Sequence, residues 1–120
     1  WYEYVPDSYD PSKKTPLVFS MHGGIMTGWG QCVYTSWSHV ADREGFIVVY
    51  PNAHSRGFWQ IECERRLFKQ LSEPNDEGIY MHDFPDDIRE NNDVRIVVKL
   101  TEMMKEKYNI DEERIYMQKL

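Results

Sequence analysis

Residues 16–24 read Pro-Leu-Val-Phe-Ser-Met-His-Gly-Gly, and this stretch decides the fold class. Its apolar run predicts a short buried strand, which ends directly at His22, Gly23 and Gly24. Because glycine has no Cβ, the backbone N–H groups there can come close to a reacting oxygen. Ligands of open α/β sheets bind at the carboxyl ends of the strands. The stretch therefore predicts a parallel strand that ends at a candidate site.

The segments after this strand predict that helices alternate with strands. Residues 35–44 fit a helix that Thr35 or Ser36 can cap, and Gly45 follows where a helix commonly ends. Residues 46–50, Phe-Ile-Val-Val-Tyr, form a second fully apolar run that Pro51 stops. Apolar strands that alternate with helices indicate an α/β domain, with a mostly parallel sheet flanked by helices.

Three further segments extend this sheet. Residues 1–5 alternate aromatic and polar side chains and predict an edge strand. Residues 23–31 hold four glycines, so we expect a loop there. Residues 109–113 predict a tight turn, and residues 114–117 then begin a third core strand.

Two regions lie between the second and third core strands. Asn91 or Asn92 caps a long predicted helix that continues through Tyr108 with an apolar stripe on one face. The region before it is polar and mixed, and a short helix over residues 62–71 is the only element predicted there.

The bulk properties exclude several partners. The chain has 120 residues and a formal net charge of −6, so we expect no nucleic-acid and no anionic-membrane partner. No apolar run reaches the roughly 18 residues of a membrane span. Cys32 and Cys63 fit either two unpaired thiols or a disulfide. No Cys/His cluster has zinc spacing, and we expect neither a metal nor a cofactor.

The His-Gly-Gly end of the first core strand fits the chemistry of acyl transfer. That reaction needs hydrogen-bond donors aimed at the oxyanion of a tetrahedral intermediate. The backbone N–H of Gly24 is the first candidate donor and that of Ile25 the second, with Gly23 and His22 supporting the motif. The alternative is an ordinary tight turn. For His22, a structural hydrogen-bonding role is favoured over that of a catalytic base.

Two tryptophans follow predicted strand ends. Trp29 and Trp59 fit the wall of an apolar acyl or aryl pocket, and they fit core packing equally well.

Four segments together resemble a known family. Residues 4–11 have the order Tyr-x-Pro-x-x-Tyr-Asp-Pro, and residues 16–24 follow as quoted above. Residues 41–52 read Ala-Asp-Arg-Glu-Gly-Phe-Ile-Val-Val-Tyr-Pro-Asn, and residues 108–116 read Tyr-Asn-Ile-Asp-x-x-Arg-Ile-Tyr. This combination resembles the polyhydroxybutyrate depolymerase and feruloyl esterase group of α/β-hydrolases.

The resemblance implies that residues 1–120 are one partial α/β-hydrolase domain that carries strands 2 to 5 of the fold and lacks its C-terminal half. In that family the nucleophile lies in Gly-x-Ser-x-Gly after the fifth strand, and the acid and the histidine come later. These residues contain none of the three, and Lys119 stands where the first glycine would fall. We therefore expect a carboxylic-ester hydrolase whose oxyanion region is present here and whose triad is not, so that this chain by itself is inactive. The implied partner is an ester substrate, and the resemblance favours a secreted or periplasmic location.

Two other functions compete with this hypothesis. A non-catalytic binding or interaction module derived from a hydrolase fits the same residues. A flavodoxin-like domain that binds a phosphate or nucleotide is weakened, because no Gly-x-Gly-x-x-Gly or Walker A motif follows a strand. In addition, the strand near Ile115 would form an exposed apolar sheet edge. Such edges recruit other chains, so we expect an oligomer or an exchanged-element dimer through it.

Overall fold

The computed structural model describes residues 1–24, 26–53, 59 and 87–119. The helix predicted over residues 62–71, the donor Ile25 and the thiol of Cys63 lie outside these residues. Cys32 lies within them, as a partly buried free thiol.

The described residues contain a four-stranded sheet with the order β1-β3-β2-β4. The strands are β1 (Tyr2–Tyr4), β2 (Thr15–Met21), β3 (Ile47–Tyr50) and β4 (Ile110–Lys119). β2 pairs in parallel with both β3 and β4, and β1 pairs antiparallel with β3. The mostly parallel sheet and the antiparallel edge strand are therefore confirmed.

Three α-helices and one short 3-10 helix accompany the sheet. The helices are α1 (Gly28–Tyr34), α2 (Trp37–Glu44) and α3 (Asn92–Lys107), and the 3-10 helix covers Ile88–Glu90. The Asn91 side chain caps α3 by accepting from two backbone N–H groups of its first turn. α2 ends at Gly45, whose φ of 76° is the left-handed conformation that glycine adopts without strain.

The helices cover both faces of the sheet because the strand residues alternate. One core cluster joins Leu17, Phe19, Ile47 and Val49 to residues of α3 such as Leu100 and Met104. The other joins Val48 and Tyr50 to Ala41 of α2. Each large apolar side chain so buried contributes about 1.5–3 kcal/mol to folding. This arrangement confirms the α/β class and fixes which strand ends share an edge.

The prediction of a loop over residues 23–31 is wrong from Gly28 onwards, because α1 begins there. The Thr27 hydroxyl caps α1 by accepting from the N–H of Gly30. A Cβ on Gly28 would lie only 2.4 Å from the carbonyl oxygen of Tyr50. This glycine therefore reflects close packing of a helix against β3 and not an irregular segment. α2 begins at Trp37 with Ser36, one of the two predicted caps, at its N-cap position, so the helix is shorter than the predicted range 35–44 at its amino end.

The third core strand begins earlier than predicted. The sequence indicates a turn over residues 109–113, whereas β4 already pairs with β2 at Ile110 opposite Thr15. The pairing is irregular up to Ile115, which lies opposite Leu17. Within this irregular part the Asp111 carboxylate accepts from the Glu113 N–H and binds Arg114, so the turn-forming residues occupy a bulge inside one strand.

β4 lies at one edge of the sheet that the structure describes. Tyr116 and Met117 are each about half exposed on it, at 55% and 50%. Association through this edge stays a prediction.

Candidate functional site

His22 leaves β2 as a fully buried residue whose ring is held by backbone groups. The N–H of Ala53 donates to its Nε2 at 3.0 Å, so Nε2 carries no proton. The proton is therefore assigned to Nδ1, which donates to the carbonyl oxygen of Gly23 at 2.7 Å. With both nitrogens engaged, this ring orients the backbone in the manner of a structural hydrogen-bonding group.

The two tryptophans of the predicted pocket occupy different surroundings. Trp59 is buried in the core, where its indole lies 4.6 Å from the His22 ring and its Nε1–H donates to the His22 carbonyl at 2.8 Å. Trp29 lies on α1 with 54% of its surface exposed. This placement favours the packing interpretation for Trp59 and leaves Trp29 available to a ligand.

The peptide group between Gly23 and Gly24 has a fixed orientation. Its carbonyl accepts from His22 Nδ1–H and from the N–H of Met26 at 3.3 Å, which closes a turn over residues 23–26. A trans peptide is planar and its N–H points away from its carbonyl. The Gly24 N–H therefore points away from the turn, and no acceptor for it lies in the part of the chain that the structure describes.

Gly24 is exposed, so solvent or a ligand can reach its backbone. The Met26 N–H, by contrast, is used within the turn.

The beginning of α1 rests on the end of β3. Gly28 approaches the Tyr50 carbonyl so closely that no side chain fits between them. Its N–H donates to the Oδ1 of Asn52 at 2.6 Å. The loops after β2 and after β3 are therefore joined at two points, once through His22 and once through Asn52.

Two buried polar atoms near this edge have no hydrogen-bond partner in residues 1–24, 26–53, 59 and 87–119, namely Gln31 Oε1 and the Tyr50 hydroxyl. Gln31 donates from Nε2 to the Ser20 hydroxyl, which fixes one end of its amide. Burial, with the nearby Cys32 thiol, raises the pKa of Tyr50 to about 12. Tyr50 is therefore a neutral phenol under the helices at physiological pH.

The sequence did not predict Asn52 or Gln31 as site residues. Asn52 directly follows an apolar strand and Pro51, so its place at the same sheet edge as Gly24 is a signal that could have identified it. Gln31 lies within the stretch predicted as a loop, which hid its burial.

A cavity of about 830 Å³ opens beside Asn52 and runs along α3 from Asn92 to Met103, with Trp1 and Val98 among its walls. Neither Trp29 nor Trp59 is among the described residues that line it.

The described residues contain no group of three His, Cys, Asp or Glu side chains placed to hold a metal ion. They also contain no helix with the length and apolar character that crossing a bilayer requires.

The proteins to which the chain is similar include an esterase/xylanase and a peptidase. The chain is 32% identical over 114 residues to the bifunctional acetylxylan esterase/xylanase XynS20E of Neocallimastix patriciarum, and the match covers 95% of the chain but 13% of that protein. It is 42% identical over 62 residues to dipeptidyl-peptidase 5 of Aspergillus fumigatus, covering 50% of the chain and 8% of that protein. No family model matches.

A solved structure shares the fold. The acetyl xylan esterase from Aspergillus awamori matches 98% of the chain with a TM-score of 0.66 and 19% sequence identity, and the chain covers 36% of it. The chain therefore shares the α/β fold of about 36% of that solved structure.

Proposed function

We propose that this chain contributes the oxyanion-stabilising region of a serine carboxylic-ester hydrolase. In such a reaction a hydroxyl attacks the ester carbonyl, and the negative charge that develops on the carbonyl oxygen needs fixed donors. The Gly24 N–H is the proposed first donor. Ile25 remains the proposed second donor.

One observation carries this proposal: the Gly23 carbonyl is held by two hydrogen bonds while the N–H of the same peptide group, on Gly24, points away from the turn. A donor that is fixed before the substrate binds costs no reorganisation when the charge appears. Its position beyond the carboxyl end of β2 is where ligands of parallel α/β sheets bind.

The proposed substrate is an acetyl ester of a polysaccharide. Two similar proteins carry acetylxylan or acetyl xylan esterase in their names, which supports a small acyl group. The resemblance to polyhydroxybutyrate depolymerases and feruloyl esterases supports the same reaction with larger acyl groups. Trp29, exposed on α1, is the proposed contact for the substrate.

The nucleophile, the base and the acid are assigned to no residue here, because the 120 residues contain no Gly-x-Ser-x-Gly. We therefore propose that these residues by themselves do not turn over esters.

A second candidate is peptide hydrolysis, which the identity of 42% to a dipeptidyl-peptidase over half of the chain favours. Amide hydrolysis passes through the same kind of oxyanion, so the Gly24 region would serve it equally.

Hydrolysis of p-nitrophenyl acetate and of a dipeptidyl p-nitroanilide by the protein in which this sequence occurs distinguishes the candidates. We expect the ester to be the better substrate by kcat/KM. Gly24→Pro removes the N–H and should lower kcat by about 100-fold. Gly24→Ala is the matched control, because it changes the same residue and keeps the N–H.

An unchanged kcat in Gly24→Pro would contradict the role of Gly24. Hydrolysis of the anilide alone would favour the peptidase, and hydrolysis of neither would favour the non-catalytic binding module.

A further inference from the structure

The loop after β3 is hydrogen-bonded to the loop after β2 through an exposed side chain, so core packing does not account for that residue. Asn52 is exposed, yet its Oδ1 accepts from the Gly28 N–H at 2.6 Å, across 24 positions of sequence. The same stretch of backbone meets Gly28 at the Tyr50 and Pro51 carbonyls. Asn52 thus fixes the carboxyl end of residues 22–28, where α1 begins.

The next residue fixes the other end of that segment. The Ala53 N–H donates to His22 Nε2, and a neutral imidazole that accepts at Nε2 carries its proton on Nδ1. Only this tautomer can donate from Nδ1 to the Gly23 carbonyl. The Ala53 N–H therefore acts through His22 on the peptide group whose other half is the Gly24 N–H.

We propose that Asn52 is a positioning residue for the oxyanion site: its side chain, together with the Ala53 N–H, ties the β3 exit to both ends of residues 22–28 and so aims the Gly24 N–H. This inference rests on the proposed function of Gly24. The side chain of Asn52 acts through the backbone of the loop.

The test compares three variants in the protein in which this sequence occurs. Asn52→Leu keeps the shape of the side chain and removes the acceptor, whereas Asn52→Asp keeps an acceptor for the Gly28 N–H. Asn109→Leu is the matched control, because the Asn109 side chain also joins two loops, by donating to the Pro11 carbonyl at 3.0 Å, at the amino end of the sheet. The readouts are kcat and KM for p-nitrophenyl acetate, the melting temperature, and hydrogen–deuterium exchange of a peptide covering residues 22–31.

We expect Asn52→Leu to lower kcat by about tenfold with little change in KM, since a misplaced donor weakens transition-state stabilisation more than substrate binding. Exchange of the 22–31 peptide should accelerate in the same variant. Asn52→Asp should recover most of kcat. Asn109→Leu should change the melting temperature alone.

Wild-type kcat in Asn52→Leu, or an equal loss in Asn52→Leu and Asn109→Leu, would overturn the proposal. If the wild-type protein hydrolyses no ester, the proposed function fails separately. Exchange then still decides on Asn52: unchanged exchange of the 22–31 peptide in Asn52→Leu shows that its side chain does not hold the loop.

Discussion

The two ends of the sheet are both closed by hydrogen bonds between loops, but the bonds leave different groups exposed. At the amino end the Asn109 N–H donates to the Tyr9 hydroxyl at 2.9 Å, and its carbonyl accepts from the Thr15 N–H at 2.9 Å. At the carboxyl end the bonds converge on the Gly23 carbonyl and on the Gly28 N–H.

The comparison shows that hydrogen bonds between loops can either close one end of the sheet or orient an exposed hydrogen-bond donor. At the amino end, bonds to Asn109 use the backbone groups that lead into β2 and β4, which secures the strand register. At the carboxyl end, the bonds to the Gly23 carbonyl leave the Gly24 N–H of the same peptide pointing outwards. Loss of a hydrogen bond at the amino end should therefore lower only the free energy of unfolding. Loss of one at the carboxyl end should lower both the free energy of unfolding and kcat.

The largest effect on stability is expected at Gly28. In Gly28→Ala the new Cβ would lie 2.4 Å from the backbone oxygen of Tyr50, so α1 must move away from β3. Overpacking of this kind costs about 2 kcal/mol of the free energy of unfolding. Urea unfolding measures this loss, and kcat should fall with it because Gly28 begins the helix that Asn52 holds.

Gly30→Ala is the matched control within α1. A Cβ on Gly30 would meet the Thr27 hydroxyl at 3.5 Å, which is ordinary contact. Because alanine loses less backbone entropy than glycine on folding, this variant should be more stable by about 0.5 kcal/mol. Equal effects of the two substitutions would contradict the close contact between α1 and β3.

Gly28 also illustrates a contact that local sequence does not predict. The alternation of apolar strands and amphipathic helices follows from burial on two faces, and it predicts the sheet, α2 and α3 close to their observed positions. The clustering of glycines in residues 23–31 has two physical causes, a turn at Gly23 and a close helix–strand contact at Gly28. Local sequence does not distinguish these causes, because the contact depends on a strand end 22 residues further along the chain.

The candidate site likewise has one part that local sequence predicts and another that it does not. His-Gly-Gly after an apolar run indicates exposed amides at a strand end, and that much follows from local residues. The groups proposed to orient the Gly24 N–H are the Ala53 N–H, which donates to His22 across 31 positions of sequence, and the Asn52 side chain, which accepts from Gly28 across 24. No periodicity connects residues so far apart, so only the folded topology identifies them.

A smaller and opposite effect is expected at Tyr50, on the α1/α2 face of the sheet. Its buried hydroxyl lies near the side chains of Thr35 and Cys32 but makes no well-formed hydrogen bond within the described ranges, and a poorly satisfied buried polar group destabilises the folded state. Tyr50→Phe should therefore raise the free energy of unfolding by about 1 kcal/mol at pH 7. Urea unfolding measures the difference from the wild type.

The pH dependence of that difference gives a second readout. In the unfolded chain tyrosine ionises near pH 10, whereas burial and the Cys32 thiol raise the pKa of Tyr50 to about 12 in the folded protein. Between these values the unfolded state releases a proton that the folded state keeps, so wild-type stability falls as the pH rises. Tyr50→Phe lacks this loss, and the gap between the two proteins should widen above pH 10. A gap that narrows would show that the folded state stabilises the phenolate, as a hydrogen-bond donor to the Tyr50 oxygen would.

The smallest effect is expected at the amino end, from Tyr9→Phe. The phenylalanine ring keeps the edge-on packing of Tyr9 against Tyr108, whose ring centroids lie 5.5 Å apart, and removes only the oxygen that accepts from the Asn109 N–H. Because this N–H is partly buried and water can replace part of the lost bond, the free energy of unfolding should fall by about 0.5 kcal/mol. The kcat for p-nitrophenyl acetate should stay at the wild-type value, since none of the hydrogen bonds described at the amino end involves the Gly23–Gly24 peptide. A fall in kcat larger than the loss of stability explains would mean that the two ends of the sheet are coupled through β2. The hydrogen bonds at the amino end would then affect activity as well as stability, contrary to the comparison.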